Sequence, residues 1–440
     1  MNTVSRAPGM QSSIIGLSHA ALLLILSDTL LQGFRFVFIL YLGSYSLSVL
    51  GAFLFGTAMG ALLSVVVDFG INQHWIRLKP PDASLNSMVF TRVFLAKMGW
   101  SVLGMVVIMG LAAAGAWRIA PVPVMGAGLV LTVLQMLSEA CEAIGLAFRW
   151  YRLVSLLRAG LSLALYAVPL AMGLALKETV ADAALYVVLP VAAMAGTMIL
   201  IGYAWYIGQS LPHNSPVRIG YGAMWWNARW LGMNQAAIVV DVRSPLVILG
   251  IMLGETAVGV YGLVQRTTAI VELAWASLSK LLLKSYADTA FKGGFDEVRS
   301  RMVAASRLTG LVMAGATLLV WMVTKYIEQS TEWSVDMLVA LALLRWSMVA
   351  ISLSSVKRPF ISGLLALNKE RAVCRINVIS AVAGVALIPL LILSHGVWGP
   401  VIGWILLEAA AGLLLIHLLF SIRGKPRSKL DETLSRHAGI

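Results

Sequence analysis

Long apolar runs alternate with short polar interruptions along the whole chain. A helix that crosses lipid needs ~20 largely apolar residues, and few segments here fall short of that. The pattern predicts spans at 14–41, 46–67, 89–115, 122–148, 153–176, 183–207, 225–250, 256–283, 303–323, 336–356, 372–394 and 398–420. The expectation is therefore an all-α polytopic membrane protein of about 12 transmembrane helices. The connections are short. The stretch at 284–302 is too small to bury a core of its own, which argues against a catalytic globule or a large external catalytic loop.

Composition supports this pattern. Of 440 residues, 59% are hydrophobic and only 12% charged, with a mean hydropathy of +0.86. A soluble domain carries roughly a quarter of its residues as charges. The first apolar stretch, from Ile14 to about Tyr41, is too long for a signal peptide and has no small-residue cleavage site. Cys141 and Cys374 are too few and too far apart for a disulfide framework or a metal site, so both are expected to be unpaired thiols.

The net charge of +13 would suggest nucleic acid in a soluble protein. Here the charge is sorted by side. With the N-terminus placed in the cytoplasm, the external loops hold only Arg118, Lys177 and Lys325. The cytoplasmic tails, loops and adjoining helix ends hold 24 of the 33 basic residues. The positive-inside rule explains that bias, sets both termini in the cytoplasm and requires an even number of spans. No nucleic-acid partner is expected; the bilayer is.

The chain also repeats itself. Leu42-Gly43 through Val49 and Gly51 recurs as Leu253-Gly254 through Val260 and Gly262, 211 residues later. A fainter echo joins Gly145-Leu146 to Gly363-Leu364. The halves read as residues 1–207 and 225–440, each a six-helix bundle, joined by a cytoplasmic linker at 208–224. Six spans per half keep the same orientation, which predicts a pseudo-twofold axis along the membrane normal and a central cavity.

The polar residues inside the spans are the candidate chemistry. Ionisable groups at bilayer depth are costly and face water or each other. Asp28, Gln32 and Arg35 share one face of the first span, and Gln135, Glu139 and Glu142 share one face of the fourth. Span seven carries Asn227, Asn234 and Asp241 at intervals of seven, with Arg229 and Arg243 on another face. Span eight carries Gln265, Glu272 and Ser279, with Arg266 beside Gln265. Lys97 lies in span three, and Arg345 and Glu408 lie mid-span in ten and twelve. Two readings are open. The charges pair as packing glue, as Asp28 could with Arg35, or they line a wet chamber. In the second reading Arg35, Arg229, Arg243, Arg266, Arg345 and Asn234 attract an anionic headgroup, since the arginine fork suits phosphate. Asp28, Glu139, Asp241 and Glu272 are then candidates to bind a coupling proton or sodium ion. No nucleotide-binding, nucleophile-elbow or zinc motif occurs, and no cofactor is expected.

Three segments resemble a known family. Leu42-Gly43 through Gly51 resembles the start of the second helix in bacterial polysaccharide flippases. Asp68-Phe69-Gly70-Ile71-Asn72 through Arg77 is similar to the segment that follows their second helix. Gly259-Val260-Tyr261-Gly262-Leu263 through Arg266 is similar to the one entering their eighth. The Pro80-Pro81 loop has no counterpart in that pattern. The family is the O-antigen and exopolysaccharide (Wzx-type) flippases of the multidrug/oligosaccharidyl-lipid/polysaccharide exporter superfamily. Lipid II flippases of the same superfamily usually carry fourteen spans. The resemblance implies two six-helix bundles around a cationic vestibule. It also implies inner-membrane movement of undecaprenyl-pyrophosphate-linked oligosaccharide from the cytoplasmic to the periplasmic leaflet, not catalysis, with other glycan-assembly membrane proteins as partners. The rival reading is a cation-coupled multidrug efflux transporter on the same fold, whose cavity should be acidic or aromatic.

Overall fold

A computed structural model describes residues 9–77, 87–117, 119, 122–148, 150–176, 181–211, 226, 228–291, 295–330, 333–367 and 369–421. The first six helical segments are α1 (Gly9–Tyr45), α2 (Leu47–Asp68), α3 (Ile71–Arg77), α4 (Ser87–Ala113), α5 (Val122–Ala147) and α6 (Tyr151–Ser162). A π turn at Leu163–Ala167 joins α6 to α7 (Val168–Leu176). Then follow α8 (Ala181–Ser210), α9 (Arg229–Leu253), α10 (Glu255–Phe291), α11 (Phe295–Ser330), α12 (Val335–Ala366), α13 (Glu370–His395) and α14 (Gly399–Ser421). With α6 and α7 taken as one rod and the short α3 set aside, each expected span has its helix. Among the described residues, nine stretches are long and apolar enough to cross a membrane, one of them running through both α13 and α14. The linker expected at 208–224 lies outside the described residues from 212 onward. Cys141 and Cys374 are both buried, and among the described residues neither forms a disulfide.

The breaks between helices follow local chemistry. Ser46 is extended, interrupts α1 and α2 for a single residue, and accepts the Val49 N–H at 3.4 Å as an N-cap. Ser334 caps α12 in the same way through the Met337 N–H. Gly254, at φ 86°, ends α9 and lets α10 begin at once. The α2–α3 turn places Phe69 at φ 37° and Gly70 at φ 79°. A non-glycine residue in that region costs ~1 kcal/mol or more, so the surrounding packing must impose it.

The helices group by contact into two units, Met1–Gly259 and Val260–Ile440. In the first, α2 is the central rod. It packs on α5 along one flank and on α9 along another. Both contacts rest on small residues, the second on Gly250 of α9, where a Cβ would lie 2.3 Å from the Phe55 ring. A Cβ at Gly56 would lie 1.9 Å from the Met125 carbonyl oxygen, and one at Gly128 would lie 2.2 Å from that of Phe53. At the N-terminal end of α2, a Cβ at Gly51 would lie 1.7 Å from the Glu255 carbonyl oxygen, and one at Gly259 would lie 2.0 Å from that of Leu47. The repeated Leu-Gly segments thus meet each other, with Ser48 donating to Glu255 at 3.3 Å. At the other end, the Phe69–Gly70 turn sits against Gly232 of α9, whose added Cβ would lie 2.4 Å from the Phe69 carbonyl oxygen. In lipid, apolar surface gives no net drive to association. Close backbone approach through glycine is how such helices gain contact.

The second unit is built on α11 against α12 and on α14 against both α12 and α13. Tyr286, Val298, Met302 and Phe360 form one cluster, and Met313, Met348 and Ile351 another. The Thr317 and Ser352 hydroxyls bond across α11 and α12 at 2.9 Å, and Ser306 donates to the Val356 carbonyl at 2.9 Å.

Replacing Gly56 by valine should therefore lower the melting temperature of the purified protein, by a stability loss of about 1–3 kcal/mol. Gly110→Val is the control, because nothing lies within 4 Å of its Cβ position. Equal melting temperatures for the two variants would mean that the α2–α5 contact is not close.

Candidate functional site

The first unit concentrates its ionisable groups in one region. Lys97, on α4, is fully buried and donates to Asp68 Oδ1 at 2.5 Å and to Asn72 Oδ1 at 2.6 Å. Asp68 Oδ1 also accepts the Asn72 backbone N–H at 3.3 Å, and the Lys97 ammonium lies 5.1 Å from the centre of the Trp75 ring. The Asp68-Phe69-Gly70-Ile71-Asn72 segment is thus a tight turn that delivers two oxygens to one ammonium. An unpaired lysine in that position would be prohibitive, so the turn and the lysine require each other.

A second pair lies nearby. Arg158 of α6 donates to Glu142 of α5 through Nε at 2.8 Å and a terminal nitrogen at 2.7 Å. The pair joins two helices whose connecting loop is only a few residues long, so the two charges lie at similar depth. Glu139, one turn before Glu142, has its side chain exposed and interacts electrostatically with Glu142, Asp68, Lys97 and Arg158. Asp28 of α1 is half-buried and lies within electrostatic reach of Glu142 and Arg158. Among the described residues neither Glu139 nor Asp28 makes a hydrogen bond or an ion pair. Four carboxylates, Asp28, Asp68, Glu139 and Glu142, therefore face two cations, Lys97 and Arg158, in this region.

The structure brings the first and fourth polar stripes together. Arg35 is buried at 9% exposure and donates to Gln135 Oε1 at 3.2 Å, with its guanidinium 5.9 Å from the centre of the Tyr166 ring. The Asp28–Arg35 pair considered from sequence does not form. Residues seven apart on α1 lie about 10 Å apart along the helix, and each reaches a different part of α5 and α6. Arg35 thus has neutral partners among the described residues, while Asp28 looks toward a cation already occupied by Glu142.

The remaining candidates divide. Arg229 donates to the Trp226 carbonyl at 3.1 Å and lies 4.5 Å over the Trp226 ring. Asn234, Asp241 and Arg243 are half-buried along α9, and Arg266 is half-buried on α10. The Glu272 side chain lies outside the described residues. Arg345 is buried, donates to both oxygens of Glu328 at 2.9 and 3.5 Å, and shares that carboxylate with Lys325 at 3.3 Å. Glu408 pairs with Lys357 at 2.5 Å and accepts from Trp404 Nε1 at 3.3 Å. Sequence reasoning did not single out Arg158 as Glu142's partner. The signal was present, because opposite charges stand at matching distances either side of a tight helical hairpin.

No protein-family model matches the sequence, and no curated protein sequence matches it. Solved structures do. An inward-facing multidrug resistance transporter of the MATE family, in the MOP superfamily, is similar over 89% of this chain and 94% of its own, at 12% identity and a TM-score of 0.63. The lipid II flippase MurJ in an inward closed conformation is similar over 91% of this chain and 87% of its own, at 12% identity and a TM-score of 0.63. A third is a MOP-superfamily transporter from Pyrococcus furiosus, described as having a binding pocket of reverse polarity that suggests a different function. It covers 94% of this chain and 96% of its own, at 13% identity and a TM-score of 0.57. The chain therefore has the two-lobe fold of these proteins, all-α among the described residues with twelve long helices, and is a multi-pass membrane protein.

Lys97→Met, which strands Asp68 among the ends of α2 and α3, should cost about 3 kcal/mol or more. The double variant Asp68→Asn/Lys97→Met should recover much of that loss in a thermal unfolding assay of the purified protein. No recovery would mean that Lys97 acts through packing rather than charge.

Proposed function

We propose that the protein flips a lipid-linked oligosaccharide across the inner membrane by alternating access, as a secondary transporter and not an enzyme. The substrate is an undecaprenyl-pyrophosphate-linked repeat unit moving from the cytoplasmic to the periplasmic leaflet. The halves 1–207 and 225–440 are the moving bodies, with 208–224 as the link and both termini cytoplasmic.

The observation that carries this reading is Arg35. A buried guanidinium with a neutral amide and an aromatic ring as partners keeps its positive charge available. That suits a phosphorylated ligand and is a poor choice for a cationic drug. Arg229, Arg243, Arg266 and Asn234 complete the proposed headgroup-binding set, in which Arg345 is paired with Glu328. The likeness to a lipid II flippase supports a lipid-borne substrate on this fold. Glu139 and Asp28, which hold no ion pair among the described residues, are the leading groups for a coupling ion, ahead of Asp241 and Glu272.

The multidrug reading is favoured by the likeness to a MATE transporter and by the surplus of carboxylates in the first unit. One comparison separates the two. In a strain without the chromosomal copy, plasmid-borne wild type should restore surface glycan, and Arg35→Gln or Arg243→Gln should abolish that rescue at normal protein levels. Glu139→Gln should slow export without blocking substrate binding. Normal glycan together with new sensitivity to cationic drugs in the deletion strain would overturn the flippase reading.

A further inference from the structure

A cavity of roughly 450 Å³ opens along the first turns of α11, lined by Asp296, Arg299, Ser300, Val303, Ala304 and Arg307. These positions recur at intervals of three and four, so they form one face of the helix. The face changes character abruptly. Arg299 and Arg307 stand about 12 Å apart along the axis, and extended arginine side chains can converge on one group between them. Beyond Arg307 the same face continues as Leu311, Leu318 and Met322, which are 74%, 61% and 56% exposed. The helix thus presents a basic hollow at the membrane boundary, followed by an apolar track as long as an acyl chain.

Arg299 and Arg307 share the lining of this hollow with one carboxylate, Asp296. Val303 anchors its floor, because it packs on the buried cluster of Tyr286, Val298, Met302 and Phe360. Arg301 points elsewhere and is paired with Glu297 at 2.6 Å. None of these residues belongs to the polar network of the first unit, and the transport reading does not use them.

We propose that this face of α11 is a binding site for an anionic phospholipid. Its phosphodiester is held by Arg299 and Arg307 with the Ser300 hydroxyl, and its chains lie along Leu311, Leu318 and Met322. Guanidinium groups donate in pairs to phosphate oxygens, and basic recesses at the lipid boundary select negatively charged headgroups.

The test is a titration of the purified full-length protein with phosphatidylglycerol, read by native mass spectrometry. Wild type should hold the lipid, and Arg299→Gln/Arg307→Gln should bind it about tenfold more weakly. Arg299→Lys/Arg307→Lys should bind nearly as wild type. Ser300→Glu, an exposed change that places a negative charge in the hollow, should also weaken binding and serves if the double variant fails to fold. Unchanged affinity in the glutamine and glutamate variants would overturn the proposal. Equal binding of diacylglycerol would reduce the site to acyl-chain adhesion, and displacement of the lipid by glycerol 3-phosphate would make it a site for soluble phosphate. Either result would sink the phospholipid assignment.

Discussion

Charge inside hydrocarbon is the constraint on which the rest of this molecule depends. Lipid offers no hydrogen bonds and little dielectric screening, so each ionised side chain must be met by protein or by water. Lys97 is the extreme case, fully buried, with Asp68, Asn72 and the Trp75 ring as its surroundings. That single ammonium fixes the strained Phe69–Gly70 turn, orients the short α3 and brings α4 against α2. The turn in turn sits against Gly232 of α9. A local electrostatic requirement thereby sets helix positions over much of the first unit.

The two units meet the constraint differently. In the second, Arg345 is matched by Glu328 and Lys357 by Glu408. In the first, carboxylates outnumber nearby cations, and Arg35 rests on an amide and an aromatic ring. The two carboxylates without an ion pair among the described residues, Glu139 and Asp28, are exposed and half-buried, so they stand where a partner can reach them.

Much of the architecture was legible in the sequence. Transmembrane helices announce themselves because lipid contact demands apolar residues on every face, and each expected span has its helix. The Leu-Gly segments were legible as a repeat, yet nothing in their spacing said that Gly51 and Gly259 would lie against opposing backbone. Close approach is a property of two helices together. The site was legible residue by residue but not as partnerships. Asp28 and Arg35 share a face on a helical wheel, but the structure sends Arg35 to Gln135 instead. Arg158 belongs to none of the polar stripes, yet it is the partner of Glu142. Periodicity reports what lies on one helix, whereas these pairings depend on which helices become neighbours.

The uneven matching of charge has an electrical meaning. A field across the bilayer does ~2.3 kcal/mol of work on each unit charge carried through 100 mV. Lys357 and Glu408, moving together, carry none and are invisible to that field. Arg35 takes its full charge wherever α1 takes it. Asp28 rides on the same helix, so what the field senses in a displacement of α1 is the sum of that carboxylate and the Arg35 guanidinium.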